Sequence, residues 1–282
     1  MLDKLKTKEV RDLYCVVFGR TPFPVPTEIP LNNMEPNQNE VRILLMLDED
    51  PNDLRRFLLD TPKYIIGKYA EDLISYYLKS ISEFEIILEH QQVIQDGITV
   101  SEIDYIIKHG GSYYHWELSY KFYLEKDGLW IGPHARDTLK NKLDTVINKQ
   151  FAVIKSKALQ NREPDIPWNE LTSKFHLSGW AFVEGNDENW NSSMSIWMHR
   201  KDFIKQDGGQ DYWLIADKEY WISPILLSAG ELRLFHWKEL IPKHVSIGAD
   251  DQRAQLFLRL QKIHGDFVEI QRCFVVYNDW PN

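Results

Sequence analysis

The stretch that most restricts this chain is Tyr113 to Phe122, Tyr-Tyr-His-Trp-Glu-Leu-Ser-Tyr-Lys-Phe. Side chains along a strand alternate between two faces. One face collects Tyr114, Trp116, Leu118, Tyr120 and Phe122; the other collects Tyr113, His115, Glu117, Ser119 and Lys121. A helix would mix the two sets, so the spacing predicts a strand. A half-buried antiparallel strand at a protein surface alternates in the same way, so the pattern alone does not mark a site.

Its neighbours add chemistry. Glu102 to Lys108 alternates Ile103, Tyr105 and Ile107 with Glu102, Asp104 and Ile106, and reads as a second strand. Gly110-Gly111 between the two fits a hairpin turn of about three to five residues. Such a pair presents Asp104 and Glu117 on one face. Adjacent carboxylates repel and are costly to keep ionised together. A hard divalent cation with oxygen ligands, Mg²⁺ above all, relieves that cost.

On the N-terminal side, Thr7 to Phe18 reads as a short helix. Thr21 to Pro36, with five prolines, reads as an irregular crossing. Tyr64 to Ser80 is the clearest helix, with Ile66, Tyr69, Ala70, Leu73, Ile74, Tyr77 and Leu78 on a broad apolar stripe. Glu71 shares the row of Gly67, Ile74 and Leu78. It is either a paired or coordinated carboxylate or a flank position reaching water. Phe84 to Ile94 reads as the first strand, broken by Glu89-His90-Gln91-Gln92, with a turn at Asp96-Gly97.

After the strand pair, Arg136 to Lys155 reads as a second long helix, with Gln150 on the row of Leu143, Ile147 and Ile154. Pro133 to Glu163 holds seven Lys/Arg against three Asp/Glu. Arg136, Lys140 and Lys142 at the helix start suit phosphate, or form an ordinary solvated face. Glu163 to Trp168 carries two prolines and reads as a boundary. Beyond it, short strands are expected at Ser178–Val183, Met194–Met198, Asp211–Ala216 and Tyr220–Pro224. The last two are joined as a hairpin through Asp217-Lys218-Glu219. A terminal helix at Asp250–His264 and a strand at Val268–Tyr277 follow. Seven of the ten tryptophans lie between Trp168 and Trp237. Aromatic strands can stack bases or engage a protein partner, but more often they fill cores.

Composition narrows the setting. The net charge of −9 argues against a protein that coats nucleic acid, while leaving room for a local basic patch. Cys15 and Cys273 lie far apart and form no metal pattern, as in a reducing compartment. No apolar run of 18 residues occurs and the start lacks a signal-peptide pattern, so no membrane association and a cytoplasmic location are expected. Dinucleotide, Walker, zincin, Cys-x-x-Cys and nucleophile-elbow motifs are absent.

What remains is an order: a helix with Glu71, a strand, a strand with Asp104, a strand with Glu117 and Lys121, and a helix with Gln150. It resembles the α-β-β-β-α-β core of the PD-(D/E)XK nuclease superfamily. More closely, the chain resembles a bacterial family catalogued as domain of unknown function 1853. The resemblance rests on Val10-Arg11-Asp12-Leu13, Gly67-Lys68-Tyr69-Ala70-Glu71, Glu102-Ile103-Asp104, Glu117 to Leu124, and Gly132-Pro133 through Arg136-Asp137 to Gln150.

It implies an α/β fold with a restriction-endonuclease-like core over 1–163 and a Trp-rich, mainly β region over 164–282. The implied activity is hydrolysis of phosphodiester bonds, in DNA rather than RNA. The alternative is a binding or regulatory protein on the same fold with a degenerate site. Asp104, Glu117 and the main-chain carbonyl of Leu118 would hold Mg²⁺ or Mn²⁺. Glu71 would act one step further out, Lys121 would orient or activate water, and Gln150 would stand where RecB-like nucleases carry a glutamine. The superfamily signature puts lysine two residues after the glutamate; here that slot is Ser119. At about 3.3 Å per residue, the Cα of Lys121 is about 13 Å from that of Glu117 rather than about 6.6 Å. A β-bulge, or Lys142 from the next helix, could close that gap.

Overall fold

A computed structural model describes residues 1–95, 97–227, 232–241, 245 and 253–282. In chain order the main helices and strands are α1 Lys8–Phe18, α2 Gln38–Glu49, α3 Asn52–Phe57, α4 Ile66–Ser80, β1 Glu85–Gln95, β2 Ile98–His109, β3 Ser112–Lys126, β4 Leu129–Ile131, α5 Leu139–Thr145, α6 Lys157–Arg162, β5 Thr172–Glu184, β6 Ile196–His199, α7 Arg200–Phe203, β7 Tyr212–Ala216, β8 Leu226–Leu227, β9 Phe235–His236, α8 Trp237–Leu240, β10 Gln255–Ile263 and β11 Asp266–Val276. The protein is a mixed α/β chain. Among the described residues, no helix is long and apolar enough to cross a membrane.

The chain forms two compact units that are not the consecutive stretches 1–163 and 164–282. The first comprises Met1–Thr61, Gly67–Lys121 and Lys140–Gly179; the second comprises Pro62–Ile66, Phe122–Leu139 and Trp180–Asn282. Glu163–Trp168 is irregular, yet the chain stays in the first unit until Gly179.

The first unit is built on a β1–β2–β3 meander. Gly110 and Gly111 both take positive φ (57° and 82°), and His109 pairs with Ser112. The connection is therefore a two-residue turn, shorter than expected, in the geometry that twisted hairpins favour. β1 runs through the polar stretch 89–92 without a break, with register shifts on either side. Glu89 is satisfied there by Ser75 Oγ at 2.7 Å, Lys79 Nζ at 2.7 Å and the Tyr105 hydroxyl at 3.1 Å. Of the expected turn after it, Asp96 lies outside the described residues.

β3 departs from a half-exposed strand. Both of its faces are covered at the centre: His115, Trp116, Glu117 and Leu118 are all buried. β2 is sealed likewise at Ile103, Tyr105, Ile106 and Ile107. The expected long helix 136–155 is three short pieces. α5 begins at Leu139, passes into a π turn at Val146–Gln150, and ends in a 3₁₀ turn at Val153–Lys155. The π turn and Phe151 cover the polar face of β3, with the Phe151 ring edge-on to His115 at 6.0 Å. β5 follows β3 in the sheet order. The approach is so close at Gly179 (φ +143°) that a Cβ there would stand 1.8 Å from the Lys121 carbonyl oxygen.

The second unit holds a mixed sheet. β5 and β6 are parallel, β6 and β11 parallel, and β11–β10–β7–β9 antiparallel. Two expectations fail here. Gln255 to Ile263 is strand β10, not the body of a terminal helix, and Asp250–Gln252 lie outside the described residues. Leu256, Leu258 and Leu260 face one core and Phe257 another, so the segment is apolar on both sides. Periodicity cannot separate such a run from a buried helix.

Tyr220–Pro224 forms no strand and no hairpin. Its carbonyls at Trp221 and Ser223 instead accept from the buried Arg272 guanidinium at 2.6 and 2.7 Å. Arg272 also pairs with Glu269 and lies 3.8 Å over the Trp180 ring. Trp190, Trp213 and Trp237 form a buried cluster with Phe203, the first two stacked at 5.5 Å. These rings are core, not an exposed stacking platform.

Candidate functional site

Sheet register places the site. Tyr105 pairs with Trp116, so the next step opposes Asp104 to Glu117. Glu89 pairs with Tyr105 and Gln91 with Ile103, so His90 stands opposite Asp104 on the other side. Opposed residues of antiparallel strands point to the same face. His90, Asp104 and Glu117 therefore form a row across β1, β2 and β3.

A cavity of ≈ 270 Å³ opens over this row, within the first unit. Glu71 of α4, Asp104, Leu118, Lys121, Lys142 and Gln150 line it. Sequence reasoning named each of these residues. Glu117 is fully buried and outside the lining. Its Oε1 is hydrogen-bonded with His115 Nε2 at 2.8 Å, and its Oε2 accepts from Gln150 Nε2. Gln150 Oε1 in turn accepts from Lys142 Nζ at 3.2 Å, and His115 Nδ1 meets the Ser173 hydroxyl at 3.2 Å. The Asp104 carboxylate is oriented from β3, where the Leu118 N–H donates to Oδ2 at 2.7 Å.

The electrostatics follow from this packing. Burial, reinforced by Glu117, pushes Asp104 up to about 7, against the pull of the Leu118 N–H and the Lys142 charge. Burial pushes Glu117 up to about 8, again opposed by Lys142. Burial lowers His115 to about 4, so its ring is neutral near pH 7. Glu71 is raised by burial, with the Lys68 ammonium 3.8 Å away opposing it, and keeps its side chain 42% exposed. Both expectations for Glu71 hold in part: it faces the cavity and it reaches water.

Lys142 is the lysine whose charge acts on both carboxylates, and its ammonium also lies 5.5 Å from the Phe175 ring centroid. Lys121 lines the same cavity. Lys140 is exposed outside the lining, and Arg136, also exposed, belongs to the second unit. α5 starts only at Leu139, downstream of Arg136.

A hard divalent cation fits the donor set. Burial holds two adjacent carboxyls far above their ordinary values, and a cation would stabilise their ionised forms. Asp104 is the carboxylate that faces the cavity. His90 and Glu102 stand beside it, and one ligand atom from each of the three lies within 4.8 Å of the others. Sequence reasoning missed His90 and Glu102 as partners of Asp104. His90 sits in the polar stretch that interrupts the apolar pattern of β1, and only its register opposite Asp104 gives it away. His115 was placed on the face of Glu117 without a role, although its spacing two residues before that carboxylate was the available signal.

No curated protein and no solved structure matches the chain. The family model described as a domain of unknown function (DUF1853) matches residues 21–276, a span that holds all of the site residues named above. The chain belongs to the DUF1853 family.

Proposed function

We propose that this cavity hydrolyses phosphodiester bonds with the help of Mg²⁺ or Mn²⁺, with DNA as the expected substrate. The observation that carries this reading is the opposed pair Asp104 and Glu117 beneath a cavity, with Lys142 coupled to both. The order α4–β1–β2–β3–α5–β5 in the first unit supports a core of the PD-(D/E)XK type.

Asp104 would hold the cation from the cavity side, with Glu117 behind it. The bound cation would supply Lewis acidity and a lowered water pKa. Lys142 stabilises charge developing on the phosphoryl oxygens and, through Gln150, is held at a fixed distance from Glu117. Lys121 offers a second ammonium at the cavity wall. Glu71 keeps a partly exposed carboxylate at the edge, where it can orient water. The exposed Lys140 and Lys149 add positive charge along the same stretch for a polyanionic substrate.

A second reading has its own observation. Ser119 occupies the usual lysine slot, and both oxygens of Glu117 are already hydrogen-bonded with protein groups. A site so closed would suit a regulatory protein that binds nucleic acid without cleaving it. One assay separates the two: cleavage of supercoiled plasmid, single-stranded DNA and RNA with Mg²⁺ or Mn²⁺, using wild type, Asp104→Asn and Lys142→Met. Hydrolysis reduced at least about 100-fold by either change supports the enzyme. Binding without hydrolysis in every case would sink it in favour of the regulatory reading.

A further inference from the structure

We propose that His115 is a positioning residue of this site, a fully buried imidazole that hydrogen-bonds the Glu117 carboxyl and fixes its orientation. The inference rests on the reading that the cavity holds a divalent cation, and it assigns a role to a residue which that reading leaves unused.

His115 has no exposed surface, yet both of its ring nitrogens are engaged: Nε2 with Glu117 Oε1 at 2.8 Å and Nδ1 with Ser173 Oγ at 3.2 Å. A neutral imidazole donates at one nitrogen and accepts at the other. If Nε2 carries the proton, it donates to Glu117 and Nδ1 accepts from the Ser173 hydroxyl. Gln150 Nε2 donates to the other Glu117 oxygen, which commits Gln150 Oε1 to accept from Lys142. Every link then runs toward Glu117. Ser173 and His115 feed one oxygen, and Lys142 and Gln150 feed the other.

That polarity matches the ionised Glu117 that a bound cation would require. A carboxylate can accept about four hydrogen bonds, and in this arrangement His115 and Gln150 supply one at each oxygen. The β-strand fixes the spacing, because residues two apart share a face about 6.6 Å apart. Phe151, edge-on at 6.0 Å, covers the ring. An imidazole is not needed merely to fill this volume, since phenylalanine would fill it. What phenylalanine cannot do is hydrogen-bond a carboxylate. Groups that orient a metal ligand typically contribute 10- to 100-fold to metal affinity.

The test is Mn²⁺ binding to the full-length protein by electron paramagnetic resonance of the free ion, with and without a duplex oligonucleotide. His115→Phe is expected to weaken binding about 10- to 100-fold. His115→Gln, which keeps one donor and one acceptor, is expected to stay within about threefold of wild type. Equal binding by His115→Phe and wild type would overturn the inference while leaving the proposed function intact. A His115→Gln variant as weak as His115→Phe would also overturn it. Should His115→Phe fail to fold, Ser173→Ala takes its place, removing only the hydroxyl that meets His115; no loss of affinity there counts against the proposal. Wild type that fails to bind Mn²⁺ in both conditions would overturn this inference and the proposed function together.

Discussion

Replacing Glu117 by glutamine should make the metal-free protein more stable, the opposite of what a buried, doubly hydrogen-bonded residue suggests. The side chain is fully buried, and its carboxyl is pushed up to about 8 from an ordinary 4.5. Near pH 7 the folded protein therefore keeps a proton that the unfolded chain has released. The sign follows from linkage: where the native state binds more protons, stability falls as pH rises. Glu117 costs nothing below pH 4.5, and its cost grows up to about pH 8.

At pH 7 the difference is worth about 3 kcal/mol as an upper bound, at 1.36 kcal/mol per pH unit. Because Glu117 and Asp104 titrate as a coupled pair, about 1–3 kcal/mol is the working figure. Glutamine carries no such cost. Its carbonyl can accept from Gln150, and its amide can donate to His115 once the imidazole proton moves to Nδ1. The melting temperature of Glu117→Gln should exceed that of wild type by about 3–10 °C at pH 7–8. At pH 5 the two should nearly coincide.

Thermal melts by circular dichroism across pH 5–8 with chelator read this directly. Adding Mg²⁺ at pH 8 should raise wild type, whose carboxylates can then ionise together, and leave the variant unchanged. Equal pH slopes for the two proteins would refute the electrostatic account of the site.

Two further outcomes follow from packing. Gly179→Ala would drive a Cβ into the Lys121 carbonyl at a backbone conformation closed to alanine, at a cost of about 3 kcal/mol or more; a melting curve within about 2 °C of wild type would contradict this. Cys273 is buried with its thiol pushed far up, whereas Cys15 is partly exposed. A disulfide reagent should therefore label one thiol in the native protein and two after denaturation, and rapid native labelling of both would show that the β10–β11 core is open.

How much of this was legible beforehand depends on which physical signal each segment carries. The strand at β3, the helix α4 and the opposition of Asp104 to Glu117 were readable because period-two and period-3.6 patterns are strong where one face is apolar. The burial of β3's polar face was not readable. His115 and Glu117 look like solvent residues until a distant segment, Val146–Phe151, covers them. β10 was lost for the converse reason, since apolar cores on both sides erase the alternation. Tyr220–Pro224 has the aromatic content of a strand, but one guanidinium, Arg272, takes the carbonyls a partner strand would have used. The distinction between Lys121 and Lys142 also lies beyond sequence, because the coupling of Lys142 to the carboxylates comes from tertiary placement.

The π turn has a consequence for helical phase. On an ideal α-helix each residue advances about 100°, so Lys142 and Gln150, eight positions apart, would point about 80° away from each other. A wider turn absorbs one extra residue and sets the phase back by about the same 100°, bringing the two directions to within about 20°. The Lys142–Gln150 hydrogen bond at 3.2 Å is thus a product of a one-residue insertion. Deleting a single residue from within this turn, short of Gln150, would restore a regular helix with the two residues seven positions apart, again within about 20° of each other. The wide turn is thus a place where the chain can gain or lose one codon while the residues on either side keep their direction toward the cavity.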